Sequence, residues 1–251
     1  MKRYLSWMTA VLVLAALSAC ASDRDLKEKA QGHIRVGTAH MQAGQDTAAL
    51  KELLEAEKLT PRDPVIHYYL GIAYDRKGFP EDAVREFRRA LELKPDYSEV
   101  QNYLGTIYLN QQQYDAAIAS FNKAIANPLY ETPSVALYNM GRAYVAKGDL
   151  RAAQASFNEA IRREPNTYLM PVLELNLGVI SYRENAFSDA ERHLTRAVDL
   201  TPNLAEGWYW LGMTQMQLRK RKDSEESFKK VISLAPNSEW AKKSAEALNR
   251  P

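Results

Sequence analysis

Apolar residues along most of this chain recur three or four positions apart, in short runs broken by glycine and proline. In one run His67, Leu70, Gly71 and Tyr74 fall on a single helical face. Gly78 interrupts it. Pro80, Glu81 and Asp82 then suit a helix start, because proline has no N–H to leave unpaired and acids face the positive end of the helix dipole. Ala83, Phe87 and Ala90 keep the same spacing until Pro95, which has neither the donor nor the steric room to extend a helix. The stretch therefore predicts two helices, and it recurs. Gly37, Gly71, Gly105, Gly141, Gly178 and Gly212 are separated by 34, 34, 36, 37 and 34 residues. Twelve positions after each stands a small residue: Ala49, Ala83, Ala117, Ala153, Ala190 and Ser224. Pro61, Pro95, Pro128, Pro165, Pro202 and Pro236 close the units. Self-similarity at this period means a stack of supersecondary units whose stability accumulates between neighbours.

Six units are predicted, at 30–63, 64–97, 98–131, 134–167, 171–204 and 205–238, with a capping helix over 239–251. Glycine of the first helix and alanine of the second are expected where two helices approach closely, so that added bulk would cost about 1–3 kcal/mol. Phe87, Phe121, Phe157 and Phe228, with Leu53 and Leu194 in the equivalent places, would fill space between units. Ser188 and Glu191 have capping-box spacing at the start of a second helix. Trp240, Ala241 and Ala245 are expected to cover the exposed face of the last repeat. Two connections are longer than the rest: Asn127–Pro133 adds two residues, and Tyr168, Leu169 and Met170 add three. Such insertions can alter the stacking or make a local platform.

Residues 1–19 read differently. Lys2 and Arg3 precede an apolar run from Trp7 to Leu17, too short for the roughly 20 residues that span a bilayer, so the segment is expected to be a secretory signal. The following Leu17-Ser18-Ala19-Cys20 resembles a bacterial lipobox, which implies cleavage before Cys20 and acylation of that residue. Each buried methylene contributes about 0.8 kcal/mol, and stable anchoring takes at least two chains. Ala21 and Ser22 follow, without the aspartate that such sorting rules associate with inner-membrane retention, so the resemblance favours the outer membrane, facing the periplasm. Residues 20–29 read as a short acylated tether, at most about 30 Å long if extended. Cys20 is the only cysteine, which excludes disulfides within the chain.

Composition narrows the function by exclusion. Hydrophobic residues at 46% and charged ones at 25% are ordinary for a folded protein. Removing Lys2 and Arg3 from 33 basic residues leaves 31, equal to the 31 acidic ones, so no broad field draws the chain to nucleic acid. No phosphate loop, nucleophile elbow or metal-ligand cluster is evident, and neither enzymatic activity nor a cofactor or metal is expected. His33 and His67 occupy the first-helix position that Trp208 fills in the last unit, and His40 stands where a tyrosine is usual; these read as packing residues. Arg219-Lys220-Arg221-Lys222 reads as a solvated turn, with anionic lipid, peptidoglycan or an acidic partner as other candidates for contact.

The repeated Gly, Tyr, Ala, Phe, Ala and Pro set resembles the tetratricopeptide repeat over about residues 30–238. Ser181 and Gln215 depart from its first-helix tyrosine, and Ser224 and Val231 from its alanines. The resemblance implies an all-α fold, a right-handed α-solenoid of six repeats with a groove lined by first helices. By repeat position that lining is Tyr68, Ile72, Asn102, Thr106, Tyr138, Arg142, Leu175, Val179, Tyr209 and Met213. Apolar and aromatic groups with a few donors suit an extended or helical segment of another protein. The basic clamp of chaperone-binding relatives is missing, and Asn102 and Arg142 do not rebuild it.

A six-repeat lipoprotein with a longer third connection is similar to the type IV pilus pilotin family, and NPLYETPSVALYNMG, Asn127 to Gly141, has that family's character. The likeness implies an outer-membrane adaptor that assists localisation and assembly of the pilus secretin, the expected protein partner. Repeats nearest the anchor, with Tyr68 and Ile72, are the expected contact. The alternative is a periplasmic adaptor for cell-wall hydrolases or outer-membrane protein assembly.

Overall fold

The structure, a computed structural model, describes residues 23–249. The expected signal 1–19, Cys20 and the last residues of the cap, Arg250 and Pro251, lie outside them. Among the described residues there are thirteen helices and no strand. Helix α1 covers residues 23–42, followed by α2 Asp46–Leu59, α3 Pro64–Arg76, α4 Pro80–Leu93 and α5 Ser98–Asn110. Next come α6 Tyr114–Ala126, α7 Pro133–Lys147, α8 Leu150–Arg163, α9 Met170–Arg183 and α10 Phe187–Leu200. The chain ends with α11 Ala205–Gln217, α12 Arg221–Leu234 and α13 Glu239–Leu248. Odd-numbered helices up to α11 are the first helices of the repeats, and even-numbered ones the second. The described chain divides into two compact units at Ile107 and Tyr108, inside α5.

The close approach expected within the repeats is present in five of them, but its nearest partner is the phenylalanine or leucine side chain rather than the alanine. A methyl placed on Gly71 would meet the Phe87 ring at 2.5 Å, and one on Gly141 would meet Phe157 at 2.3 Å. A methyl on Gly212 would meet Phe228 at 2.7 Å, and methyls on Gly178 and Gly37 would meet Leu194 at 2.5 Å and Leu53 at 3.0 Å. The alanines are fully buried nearby, which lets the second helix come close enough to press its larger side chain onto the glycine.

In unit 1, Leu53, Ile66 and Leu70 join Ala49, Ala56 and Ala73 in one core. In unit 2, Phe121, Leu137, Phe157, Leu173 and Leu177 form one cluster, and Leu175, Leu194, Val198 and Leu211 another. Tyr130, from the long third connection, is buried in the first of these, whereas Leu129 beside it is 84% exposed. Tyr168, in the other lengthened connection, is 77% exposed. Helix α13 packs against α12 and α11.

Each first helix ends in one left-handed residue before the second begins. Gly44, Gly78 and Gly148 fill that place with φ of 72°, 79° and 83°, and Gln112, Asn185 and Arg219 take it with φ of 59°, 62° and 60°. Thus Arg219 of the basic run makes the turn, Lys220 is the N-cap of α12, and Arg221 already belongs to that helix.

Two local expectations are corrected. Ser188 and Glu191 form no capping box, because α10 begins at Phe187 with Ala186 as its N-cap and no side-chain cap bond. Side-chain caps are instead made by Asp63 to the Val65 N–H, Asp149 to the Ala152 N–H and Ser238 to the Ala241 N–H. The tether is not extended either: residues 23–29 are helical and exposed. They contain no glycine or proline, and Asp23–Lys27 and Asp25–Lys29 pair one turn apart at 2.7 and 2.8 Å.

Candidate partner-binding cleft

In α9 the residues Val172, Asn176, Val179 and Arg183 follow a four-three-four spacing, which puts them on one stripe of the helix. They line a cleft of about 430 Å³ in unit 2. Tyr138, Arg142 and Val145 of α7 form another wall, with Glu206 and Trp210 of α11 beside them and Trp240 of α13 at the edge. Leu175 and Ile180 are buried along it. Four of the side chains expected in a groove, Tyr138, Arg142, Leu175 and Val179, are thus brought together.

Polar groups in the cleft are few and incompletely used. The Arg142 guanidinium stands 5.8 Å from the centre of the Tyr138 ring and donates to Asn139 Oδ1 at 3.4 Å. The Asn176 amide donates to the Val172 carbonyl at 2.6 Å. Arg183 is exposed. The indole Nε1 of Trp210 is buried without an acceptor, a state that costs about 1–3 kcal/mol unless something supplies one. The rings of Trp210 and Tyr182 lie 5.3 Å apart, and Trp210 and Trp240 6.5 Å apart.

The other expected lining residues sit elsewhere. Tyr209 packs on Trp240 at 5.1 Å and Phe228 at 6.1 Å; neither it nor Met213 borders the cleft. In unit 1, Tyr68 is half-buried among Tyr69, Tyr97 and Tyr103, with ring centres 5.0, 5.3 and 5.7 Å away. Burial and these neighbouring phenols push its ionisation well above the ordinary tyrosine range, and burial pushes Tyr97 up to about 12. Ile72 packs against the unit 1 core. Thr106 bonds its own helix at the Asn102 carbonyl, and Asn102 Oδ1 is buried without a donor among the described residues. Sequence reasoning missed Val172, Asn176, Arg183, Trp210 and Trp240. The α9 stripe was readable from spacing alone, whereas Trp240 reaches the cleft only through the docking of α13.

The histidines are more polar than packing residues. His67 is buried, its Nδ1 2.8 Å from Glu86 Oε2 and its Nε2 3.0 Å from the Pro61 carbonyl. Trp208 makes the same bond to the Pro202 carbonyl at 2.9 Å in the last repeat, which explains why the two residue types exchange. The His–Glu pair recurs: His33 faces Glu52 at 2.8 Å, and in the fifth repeat it is reversed, Glu174 facing His193 at 2.6 Å and Arg196 at 2.9 Å. His40 is not in a core and meets Gln45 Oε1 at 2.6 Å. Contrary to the expectation of no metal-ligand cluster, Glu57, His67 and Glu86 bring ligand atoms within 4.8 Å of one another. Nε2 donates its N–H to the Pro61 carbonyl, and Nδ1 faces the Glu86 carboxylate, which makes an ion pair when the ring is protonated. Its pKa is raised: burial opposes the charge, and Glu86 and the Pro61 carbonyl together outweigh that.

The basic run is partly neutralised. Lys220 pairs with Glu191 at 2.6 Å and Arg221 with Glu225 at 3.3 Å. Arg219, Arg221 and Glu225 border a cavity of about 350 Å³ beside Phe228 and Leu248. Among the described residues, no helix is long and apolar enough to cross a membrane.

Profiles described as tetratricopeptide repeats match residues 68–131 and 138–205, with further matches at 37–78 and 205–238. The chain belongs to the tetratricopeptide-repeat family. Among solved structures, Pseudomonas aeruginosa PilF superposes with a TM-score of 0.79 at 21% identity, covering 88% of this chain and 99% of PilF. PilW, described as a widely conserved type IV pilus biogenesis factor, gives 0.74 at 20% identity, covering 85% and 97%. YrrB, a tetratricopeptide-repeat protein with an unusual peptide-binding site, gives 0.63 at 18% identity, covering 77% and 97%. At these identities the likeness is one of fold. A search of curated proteins gives no match. The protein is a tetratricopeptide-repeat interaction scaffold similar to type IV pilus biogenesis factors.

Proposed function

We propose that this scaffold is anchored by lipid on Cys20 at the periplasmic face of the outer membrane, where it holds a secretin subunit of the type IV pilus during localisation and assembly, without catalysis of its own. The observation that carries partner binding is the unit 2 cleft: a concave surface that combines apolar and aromatic side chains with two arginines, an asparagine and a glutamate, a composition that suits capture of a protein segment. The pilus assignment is supported by the near-complete superposition on PilF and PilW. Confinement to the membrane would raise the local concentration of the captured subunit without any new contact. With α1 already helical at residue 23, lipid on Cys20 would keep unit 1 within about 10 Å of the anchor. Partner contact is assigned to the cleft in preference to Tyr68 and Ile72, since the Tyr68 ring is engaged by three other tyrosines.

Replacing Cys20 with alanine is expected to leave the helical content unchanged while the secretin accumulates away from the outer membrane in fractionated cells. Wild-type secretin distribution in that strain would defeat the anchoring role. A photocrosslinking residue at Tyr138 should capture the secretin. Capture of an amidase or a barrel-assembly component instead would favour a cell-wall or outer-membrane-assembly adaptor.

A further inference from the structure

We infer that the unit 2 cleft selects an acidic segment within an otherwise apolar stretch of its partner, with carboxylates seated against Arg142 and Arg183. The inference rests on reading this cleft as the partner site and adds the charge of the occupant. Arg142 and Arg183 come from different helices, line the same cleft, and have no carboxylate partner among the described residues. Carboxylates near other arginines of unit 2 are already engaged: Glu159 holds Arg162 and Arg163, Asp189 holds Arg192, and Glu174 holds Arg196. The two guanidiniums in the cleft are therefore available for an incoming anion, and the planar fork of arginine matches a carboxylate in a bidentate way. The Tyr138 ring beneath Arg142 limits the positions its guanidinium adopts, so less freedom is lost on binding.

Two further groups set the rest of the occupant's character. Trp210 lines the cleft with Trp240 and offers aromatic surface to an apolar side chain of the occupant. Glu206 is the single acidic side chain on the lining, so it repels a second carboxylate at the α11 end and fixes which way the segment runs. Leu175 and Val179 on the same lining favour apolar side chains opposite them. A basic segment would meet two like charges, the arrangement that specific interfaces use to reject wrong partners.

The test uses the full chain in detergent and fluorescence anisotropy with two short labelled peptides. One carries glutamates interspersed among leucines and serines; the other has lysines in place of the glutamates. The acidic peptide should bind at least about tenfold more tightly, and its affinity should fall as salt rises. Arg142→Gln and Arg183→Gln should each weaken it by about tenfold, and Arg183→Glu should move the preference toward the lysine peptide. Trp210→Ala, which removes aromatic wall and leaves both arginines, should weaken both peptides alike. Equal binding of the two peptides, binding of neither, or equally tight capture of a single-stranded thymidine oligonucleotide would overturn the inference. If the peptides do not discriminate but a crosslinker at Tyr138 still captures the secretin, the cleft remains the partner site and only the charge selection fails.

Discussion

Tyr68 of unit 1 and Tyr138 of unit 2 stand at the same repeat position, three residues before the glycine of their first helix, yet they have opposite fates. Tyr68 fills space among Tyr69, Tyr97 and Tyr103. Tyr138 touches Phe157 at 6.0 Å and leaves a cleft open on its other side. The difference lies one residue further on. At that position, next to Tyr68 and in the following repeat, unit 1 places Tyr69 and Tyr103, whereas unit 2 places Asn139 and Asn176 in its first two full repeats and Trp210 only in the last. Tyrosines close the space between successive first helices, and asparagines leave it. A residue's place in the repeat therefore says which face it occupies, and its neighbour decides whether that face is filling or wall.

The most severe way to separate the two units is to empty their cores one at a time. Phe87 and Phe157 are both fully buried over a glycine. Truncating either to alanine should cost about 3–5 kcal/mol. Because stability in repeat stacks is carried by nearest neighbours, Phe87→Ala should loosen unit 1 and Phe157→Ala unit 2. Hydrogen exchange read by mass spectrometry checks this: the affected peptides should fall on one side of residue 107 in each case. Uniform loss of protection across both units would mean that they unfold as one.

A gentler change tests what makes the cleft. Asn176→Tyr gives the fifth repeat the residue type that closes the space in unit 1, and is expected to fill the cleft. Peptide or secretin binding should drop by at least about tenfold, or roughly 1.4 kcal/mol, with the thermal midpoint unchanged or raised. If binding survives with a tyrosine there, the neighbour rule drawn from Tyr68 and Tyr138 is wrong.

The two units also differ in what was readable beforehand. Helix pairs and most of the glycine contacts were legible because each rests on a short-range pattern that recurs along the chain, so that one irregular copy such as Ser224 does not hide it. Less than a third of the cleft lining was legible for the same reason: Tyr138, Arg142, Leu175 and Val179 sit where the repeat position puts them. Trp240 was not, since its placement depends on how a helix without repeat sequence docks on α11 and α12. The helix at 23–29 was missed because charged, exposed residues carry no apolar stripe; its support is two ion pairs one turn apart. The His–Glu pairs were invisible in one dimension, being 19 residues apart and reversed in the fifth repeat.

One of those pairs gives unit 1 a pH dependence. Protonated His67 can pair with Glu86 through Nδ1 while Nε2 donates to the Pro61 carbonyl, and its pKa lies above the ordinary imidazole value near 6.5. A raised value means that the folded chain binds the proton more tightly than the unfolded one. The stabilisation is full below the unfolded value and is lost as pH rises through the folded one. His67→Gln should therefore cost about 1–2 kcal/mol in mildly acidic buffer and less in alkaline buffer. Thermal melts of the two proteins across that range should converge as pH rises. A gap that widens instead would reverse the assigned protonation.

The smallest effect concerns the turns inside the repeats, where the units differ again. Unit 1 uses Gly44 and Gly78 at the left-handed position, while unit 2 uses glycine once, at Gly148, and otherwise Gln112, Asn185 and Arg219. A side chain other than glycine or asparagine crowds the following carbonyl in that conformation, at a cost of about 1–2 kcal/mol. Glycine also raises the entropy of the unfolded chain, which offsets part of any gain. Gln112→Gly should thus stabilise unit 2 by about 0.5–1 kcal/mol, visible as a higher denaturant midpoint with an unchanged slope. Arg219→Gly should gain the same or less, since it also removes a cation beside the Glu225 carboxylate at the cavity that both border. A midpoint lowered by Gln112→Gly would mean that the glutamine side chain makes a compensating contact, and the contrast between glycine-turned and side-chain-turned repeats would carry no energetic weight.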